Sequence, residues 1–151
     1  MTLLDTHRRR APEERPTQIL DAAFREFGER GLAGARLDDI AKRAQVAKGT
    51  IYLYFPNKEA LFREMVHGTI VSALVEAEAS LAGLASETAE AQLRRLGQGW
   101  WTFLRTERVQ VLQRLVSLEL GQFPDLMQFY ADEVMSRGRR LVSGLIARGV
   151  A

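Results

Sequence analysis

The chain has 151 residues, 46% of them apolar and 26% charged, with 21 basic and 19 acidic side chains and no cysteine. This length can bury a real core, and the composition excludes disorder along the whole chain, disulfides, thiolate metal sites and a cysteine nucleophile. No run approaches the roughly 18 apolar residues of a membrane helix, and residues 1–10 lack the apolar stretch of a secretory signal, so a cytoplasmic protein without membrane contact is expected.

The formal net charge is only +2. Residues 1–67 hold 12 basic and 10 acidic side chains, and residues 68–151 hold 9 of each, so the excess lies in the N-terminal part. Arg8, Arg9 and Arg10 form its dense cluster, in a polar segment that predicts a flexible basic arm over residues 1–15. By itself this is weak evidence for a polyanionic partner.

Helix-period patterns fill the stretches between Pro12, Pro16, Pro56 and Pro124, and no sustained strand alternation is present. Ile19, Ala23 and Phe27, with Leu20 and Phe24 beside them, predict an amphipathic helix ending near Arg30, with Gly31 as its cap. Leu37, Ile40, Ala41 and Ala44 predict a short second helix, with Asp38 and Asp39 in the first turn where the helix dipole favours acids. After Gln45-Val46-Ala47 a third short helix is expected from about Lys48 to Tyr54, closed by Phe55-Pro56-Asn57. From Lys58 a long helix is predicted through Leu61, Phe62, Met65, Ile70 and Leu74 to a weak point at Gly83–Ser86. Two more are expected over about Glu87 to Arg105 and Arg108 to Leu120, and a last one from Pro124 to about Arg148.

Two short helices joined by three residues, behind a longer helix, outline a helix-turn-helix unit. At about 100° per residue, Ala47, Ile51 and Phe55 share the core side of the third helix, while Gly49 and Leu53 face outward. Lys48 and Tyr52 flank them on one edge, Thr50 and Tyr54 on the other. Such a helix fits the major groove, and a glycine lets its backbone approach base edges. Lys48 can reach a guanine acceptor or a phosphate, and Thr50, Tyr52 and Tyr54 carry donors for phosphate oxygens. Lys58 adds its charge to the free N–H groups that open the next helix, making a candidate anion site.

The segments Ile19-Leu20-Asp21-Ala22-Ala23, Phe27-Gly28-Glu29-Arg30-Gly31, Leu37-Asp38-Asp39-Ile40-Ala41 and Val46 through Leu61 (VAKGTIYLYFPNKEAL) resemble the DNA-binding domain of the TetR family of bacterial transcriptional regulators. The resemblance spans about residues 16–65. It implies an all-α chain, with a three-helix DNA-binding domain over residues 16–60. A helical ligand-binding and dimerisation domain would follow over 61–151. The function implied is a homodimeric repressor released from a palindromic operator by a small-molecule effector, with no cofactor. By position, base contacts fall on Lys48, Gly49 and Tyr52, and phosphate contacts on Thr50, Tyr54, Lys58 and the start of the second helix, Arg36 and Leu37. Three residues depart from the family pattern. Arg36 stands for the usual Ser or Thr and cannot cap with an oxygen. Gln45 replaces the turn glycine and is expected at positive φ. Ala47 replaces a capping Ser. Relatives usually continue past the last helix, so the regulatory domain is expected to be shortened, either as a fragment or as an abbreviated dimer.

In the C-terminal half, Trp100, Trp101, Phe103, Met127 and Tyr130 are candidate lining for an apolar or aromatic effector, or else ordinary core. Trp100 and Trp101 are adjacent and cannot both face inward. Enzyme readings lack support: His7 and His67 are far apart, and Gly28, Gly31 and Gly34 follow a helix rather than a strand. A helical interaction module without sequence-specific DNA contact is the rival reading.

Overall fold

Residues 15–84 and 86–150 are described by a computed structural model of the chain; the expected basic arm lies outside them apart from Arg15. Helix α1 (Arg15–Gly34) buries Ile19, Ala23, Phe24 and Phe27 of the stripe its periodicity predicts, with Ala22 buried in addition and Leu20 only partly buried. The run is kinked at Gly31, whose φ of 73° and ψ of 174° only glycine adopts without strain. Leu32, just beyond, is fully buried and pins the turn to the core. Helix α2 (Leu37–Arg43) follows with Ala44 as its C-cap, and α3 (Lys48–Tyr54) has the expected bounds.

Helix α4 (Lys58–Val66) starts at Asn57, whose side chain accepts from the Ala60 N–H at 2.7 Å. It runs through a wide π turn, His67–Val71, into α5 (Ser72–Gly83). Helix α6 (Ala89–Leu104) is capped by Thr88, α7 (Glu107–Leu118) leads to a 3-10 turn at Leu120–Gln122, and α8 (Pro124–Tyr130) passes through a second π turn, Ala131–Met135, into α9 (Ser136–Val150). The sequence predicts 58–83 and 124–148 as uninterrupted α-helices, and the two wide turns are the difference. Their physical reason lies in the apolar spacing. Phe62, Val66, Ile70 and Leu74 recur every fourth residue, as do Leu126, Tyr130 and Val134. In an ideal α-helix such a stripe drifts by about 40° per step. A turn with i→i+5 bonding holds more residues and takes the drift back. All four residues of the first stripe are accordingly buried, and the two wide turns pack against each other.

One hydrophobic core runs from Ile19 through Ile51, Phe62 and Leu74 to Leu112, Leu115, Leu126 and Val134. Helix α7 joins it to α1, with Val111 against Gly28. Arg108 pairs with Asp21 and lies 4.9 Å over the Phe24 ring, and Arg114 donates to the Gly28 carbonyl. Beyond the end of α7, the Glu119 carboxylate accepts from the Ala33 N–H at 2.9 Å. Among the described residues no helix is long and apolar enough to cross a membrane.

A Cβ on Gly31 would run into the Glu119 carboxylate as well as meeting an unfavourable φ. Gly31→Ala is therefore expected to lose about 1–2 kcal/mol or more in urea unfolding. The loss should shrink in a Glu119→Ala background, where only the backbone strain remains. Equal losses in both backgrounds would mean that the carboxylate moves aside freely.

Candidate nucleic-acid interface

The turn between α2 and α3 is built on strain. Gln45 has φ 57°, the one non-glycine residue at positive φ among those described, as its place in the motif predicts. The Val46 N–H closes the turn on the Ala41 carbonyl at 3.0 Å, and Val46 packs against the core. A left-handed glutamine costs about 1–3 kcal/mol, which this anchoring offsets. Arg36 and Ala47 stand in extended geometry before α2 and α3 and supply no side-chain cap. Ala47, expected on the core side of α3, is exposed, because it precedes the helix.

Helix α3 is held by the fully buried Ile51, followed by the buried Phe55. Its outer surface is open. Leu53 is 84% exposed, Tyr52 45% and Tyr54 38%, with Lys48 and Gly49 exposed and Thr50 half-buried. An added Cβ at Gly49 would meet nothing within 4 Å, so no packing inside the chain requires a glycine there.

The cations around this face differ in their partners. Lys48 donates to Asp38 on α2 at 2.7 Å, and this bond holds the ammonium pKa up and the carboxyl pKa down. Lys58 donates to the carbonyls of Ala33 at 2.9 Å and Ala35 at 3.3 Å, closing the end of α1, which leaves one of its three N–H groups. The Arg36 carbonyl accepts from the Asp39 and Ile40 N–H groups, while its exposed side chain has no hydrogen bond or ion pair among the described residues. The Leu37 side chain is buried, so only its backbone N–H faces the start of α2.

Sequence reasoning missed the group that fixes α2 against α1. Glu26, 1% exposed, meets Arg30 at 3.1 Å and Arg43 at 3.2 Å, while Arg43 also makes a two-pronged bond to Glu29 at 2.7 and 2.5 Å. The Arg43 bond draws the Glu29 carboxyl pKa down and is answered by a raised guanidinium pKa. The available signal was an acid on the apolar stripe of α1, three and four residues after Ala23 and Ala22.

Two adjoining cavities open beside α6. One, of about 390 Å³, lies between α5 and α6 and is lined by Ala73, Leu81, Arg95, Leu96, Trp100 and Phe103 among others. The other, of about 420 Å³, adds α9 through Gly138, Leu141 and Val142, and shares Leu96 and Trp100 with the first. Trp100 and Phe103 thus line cavity, whereas Trp101, Met127 and Tyr130 line neither. Trp101 points outward at 65% exposure and Met127 is exposed on α8. Tyr130 packs against the core, where burial pushes its hydroxyl pKa up.

Residues 19–65 match the family model described as "Bacterial regulatory proteins, tetR family". The chain is 44% identical over 57 residues to the HTH-type transcriptional repressor SCO4008 of Streptomyces coelicolor, a match covering 38% of this chain and 30% of that one. It is 32% identical over 121 residues to an uncharacterized HTH-type regulator of Haemophilus influenzae, covering 78% and 62%. Both matches cover less than two thirds of the curated relative. Among solved structures, the fatty acid degradation regulator FadR of Bacillus halodurans superposes with a TM-score of 0.72 at 26% identity, over 92% of this chain and 68% of that one. The helix-turn-helix that residues 19–65 build, with its open third helix, is thus a DNA-binding segment of the TetR type of bacterial regulatory proteins.

Proposed function

We propose that the chain is a sequence-specific DNA-binding repressor, acting as a homodimer on a palindromic operator and released by a small apolar or aromatic effector. The observation that carries this reading is the outer face of α3, where exposed hydroxyls, a cation and Leu53 surround a glycine that packs against nothing. Lys48, Gly49 and Tyr52 read base edges, and Leu53 offers apolar contact of the kind a thymine methyl takes. Thr50, Tyr54, Arg36, the spare N–H of Lys58 and the Leu37 N–H hold phosphates and set the register.

Residues 16–60 form the reading domain and 61–151 the regulatory and dimerisation domain. The effector occupies the cavities beside α6, whose lining is mainly apolar, with Arg95 and Glu76 at one side. Such a ligand shifts the molecule only if it binds one arrangement of the two reading helices better than the other. Two routes reach the reading domain from the cavity side. The rod formed by α5, the π turn and α4 ends at Lys58, and α7 is followed directly by Glu119. Both grip Ala33.

Selection from a randomised duplex library with the 151-residue chain should enrich an inverted repeat, its half-sites about one helical turn apart. Lys48→Ala should relax preference at one position of each half-site by about tenfold. Tyr54→Phe should weaken selected and scrambled duplexes alike, because a phosphate contact carries no sequence information. No enriched repeat at low salt from a folded chain would contradict the reading.

An added Cβ at Gly97 meets nothing within 4 Å, yet Gly97 lines the larger cavity. Gly97→Leu is therefore expected to fill the effector space while leaving folding and duplex affinity unchanged. Fluorescence of an anilinonaphthalene sulfonate probe should rise with the unmodified chain and stay low with the variant. Equal probe binding by both would place the effector elsewhere.

A further inference from the structure

The open face of α3 carries one cation that is already engaged. Lys48, the first residue of α3, is bound at 2.7 Å to Asp38, the second residue of α2. The carboxylate is fixed by its surroundings: Oδ1 is buried and accepts no hydrogen bond among the described residues, so Oδ2 is the oxygen turned to the ammonium. Asp38 is half-buried at the root of the site, while Lys48 is exposed. An ammonium has three donors. With one spent on Asp38, two remain, and their origin is fixed relative to α3. The same bond keeps a long, flexible side chain from swinging toward the phosphates, where a lysine adds affinity for every sequence alike.

We infer that Asp38 is a specificity-determining positioning residue: it holds the Lys48 ammonium over the face of α3 for a base acceptor and withholds it from the phosphate backbone. The inference rests on the reading of α3 as the recognition helix. Asp38 acts through Lys48 and touches no base itself. The tie also couples the first turn of α2 to the first residue of α3, three positions beyond the strained Gln45. Opposite charge on both partners strengthens it: the bond to Lys48 lowers the Asp38 carboxyl pKa, with Arg36 and Lys42 adding to the effect, so the carboxylate stays ionised at neutral pH.

The test is a double-mutant cycle on the 151-residue chain, using Asp38→Asn, Lys48→Ala and the double variant. Each is titrated by anisotropy against the duplex selected by the unmodified chain, against that duplex with single base changes, and against a scrambled duplex, over a range of salt. Asp38→Asn should bind the scrambled duplex about threefold more tightly per protomer, the scale of releasing one exposed ion pair. Its salt slope there should steepen by about 1 per protomer. Discrimination at the base position that Lys48→Ala affects should fall, and discrimination elsewhere should hold. In the Lys48→Ala background, Asp38→Asn should change none of these. Asp38→Glu, which keeps the charge, should stay closer to the unmodified chain than Asp38→Asn, and thermal melts of every variant exclude loss of folding as the cause.

A chain that favours no duplex overturns the recognition-helix reading and this inference together. A chain that favours its selected duplex, yet shows the same Asp38→Asn effect with and without Lys48, overturns this inference alone, since only the general charge would then matter. Loss of affinity for the selected duplex, without gain on the scrambled one, overturns it as well and gives Asp38 a base contact of its own.

Discussion

The backbone of Ala33 is the point on which the arrangement of this chain depends. Its N–H donates to Glu119 from the end of α7, and its carbonyl accepts from Lys58 at the start of α4. Two elements remote in sequence therefore hold one residue of the last turn of α1, beyond the Gly31 kink. Gly31 makes the turn possible by its left-handed φ, and the lack of a Cβ leaves room for the Glu119 carboxylate. The direction of α2 follows from this clamp, and α3 follows from α2. Polar contacts of this kind are modest in energy beside the burial of Phe27, Phe62 and Leu112, each worth about 1.5–3 kcal/mol. Their contribution is geometric, because apolar packing alone does not fix where a short helix points.

Much of the fold was legible in the sequence because its signals are local. The stripe Ile19-Ala23-Phe27, the Gly31 break and the seven residues of α3 follow from spacing and from the steric demands of single residues, and the left-handed Gln45 follows from the family pattern, in which a glycine holds that place. The π turns were not legible as such. An apolar residue at every fourth position satisfies a helix template, and only the burial of the whole stripe from Phe62 to Leu74 shows that the phase is corrected midway. Ala47 was misplaced for a related reason: a wheel drawn from Lys48 backward treats it as helical, whereas it stands in extended geometry.

The candidate site was readable by residue type and much less by partner. Lys48, Gly49, Thr50, Tyr52, Leu53 and Tyr54 lie on one short helix, so their grouping needs only helix geometry. Which cation is engaged depends on residues ten or more positions away: Asp38 for Lys48, Ala33 and Ala35 for Lys58. The Glu26–Arg43–Glu29 group is non-local in the same way. Aromatic residues of the C-terminal half were the least predictable, since Trp100 and Trp101 are adjacent and both exposed, yet only Trp100 lines a cavity. Only packing among α5, α6 and α9 decides which of them lines a cavity.

The single buried anchor of α3 has a bearing on how such a chain can diverge. Five of its seven residues are exposed and only Ile51 is buried within it. Substitutions across the exposed positions leave the interior untouched, and surface changes of that sort typically alter stability by no more than about 0.5 kcal/mol. The surface offered to a partner is thus free to drift while the architecture stays constant. Ile51 alone carries the opposite burden: truncating it to alanine would open a cavity at a cost of about 2–5 kcal/mol. Descendants of this chain can exchange the outer letters of KGTIYLY readily, with the central one held in place by the interior it fills.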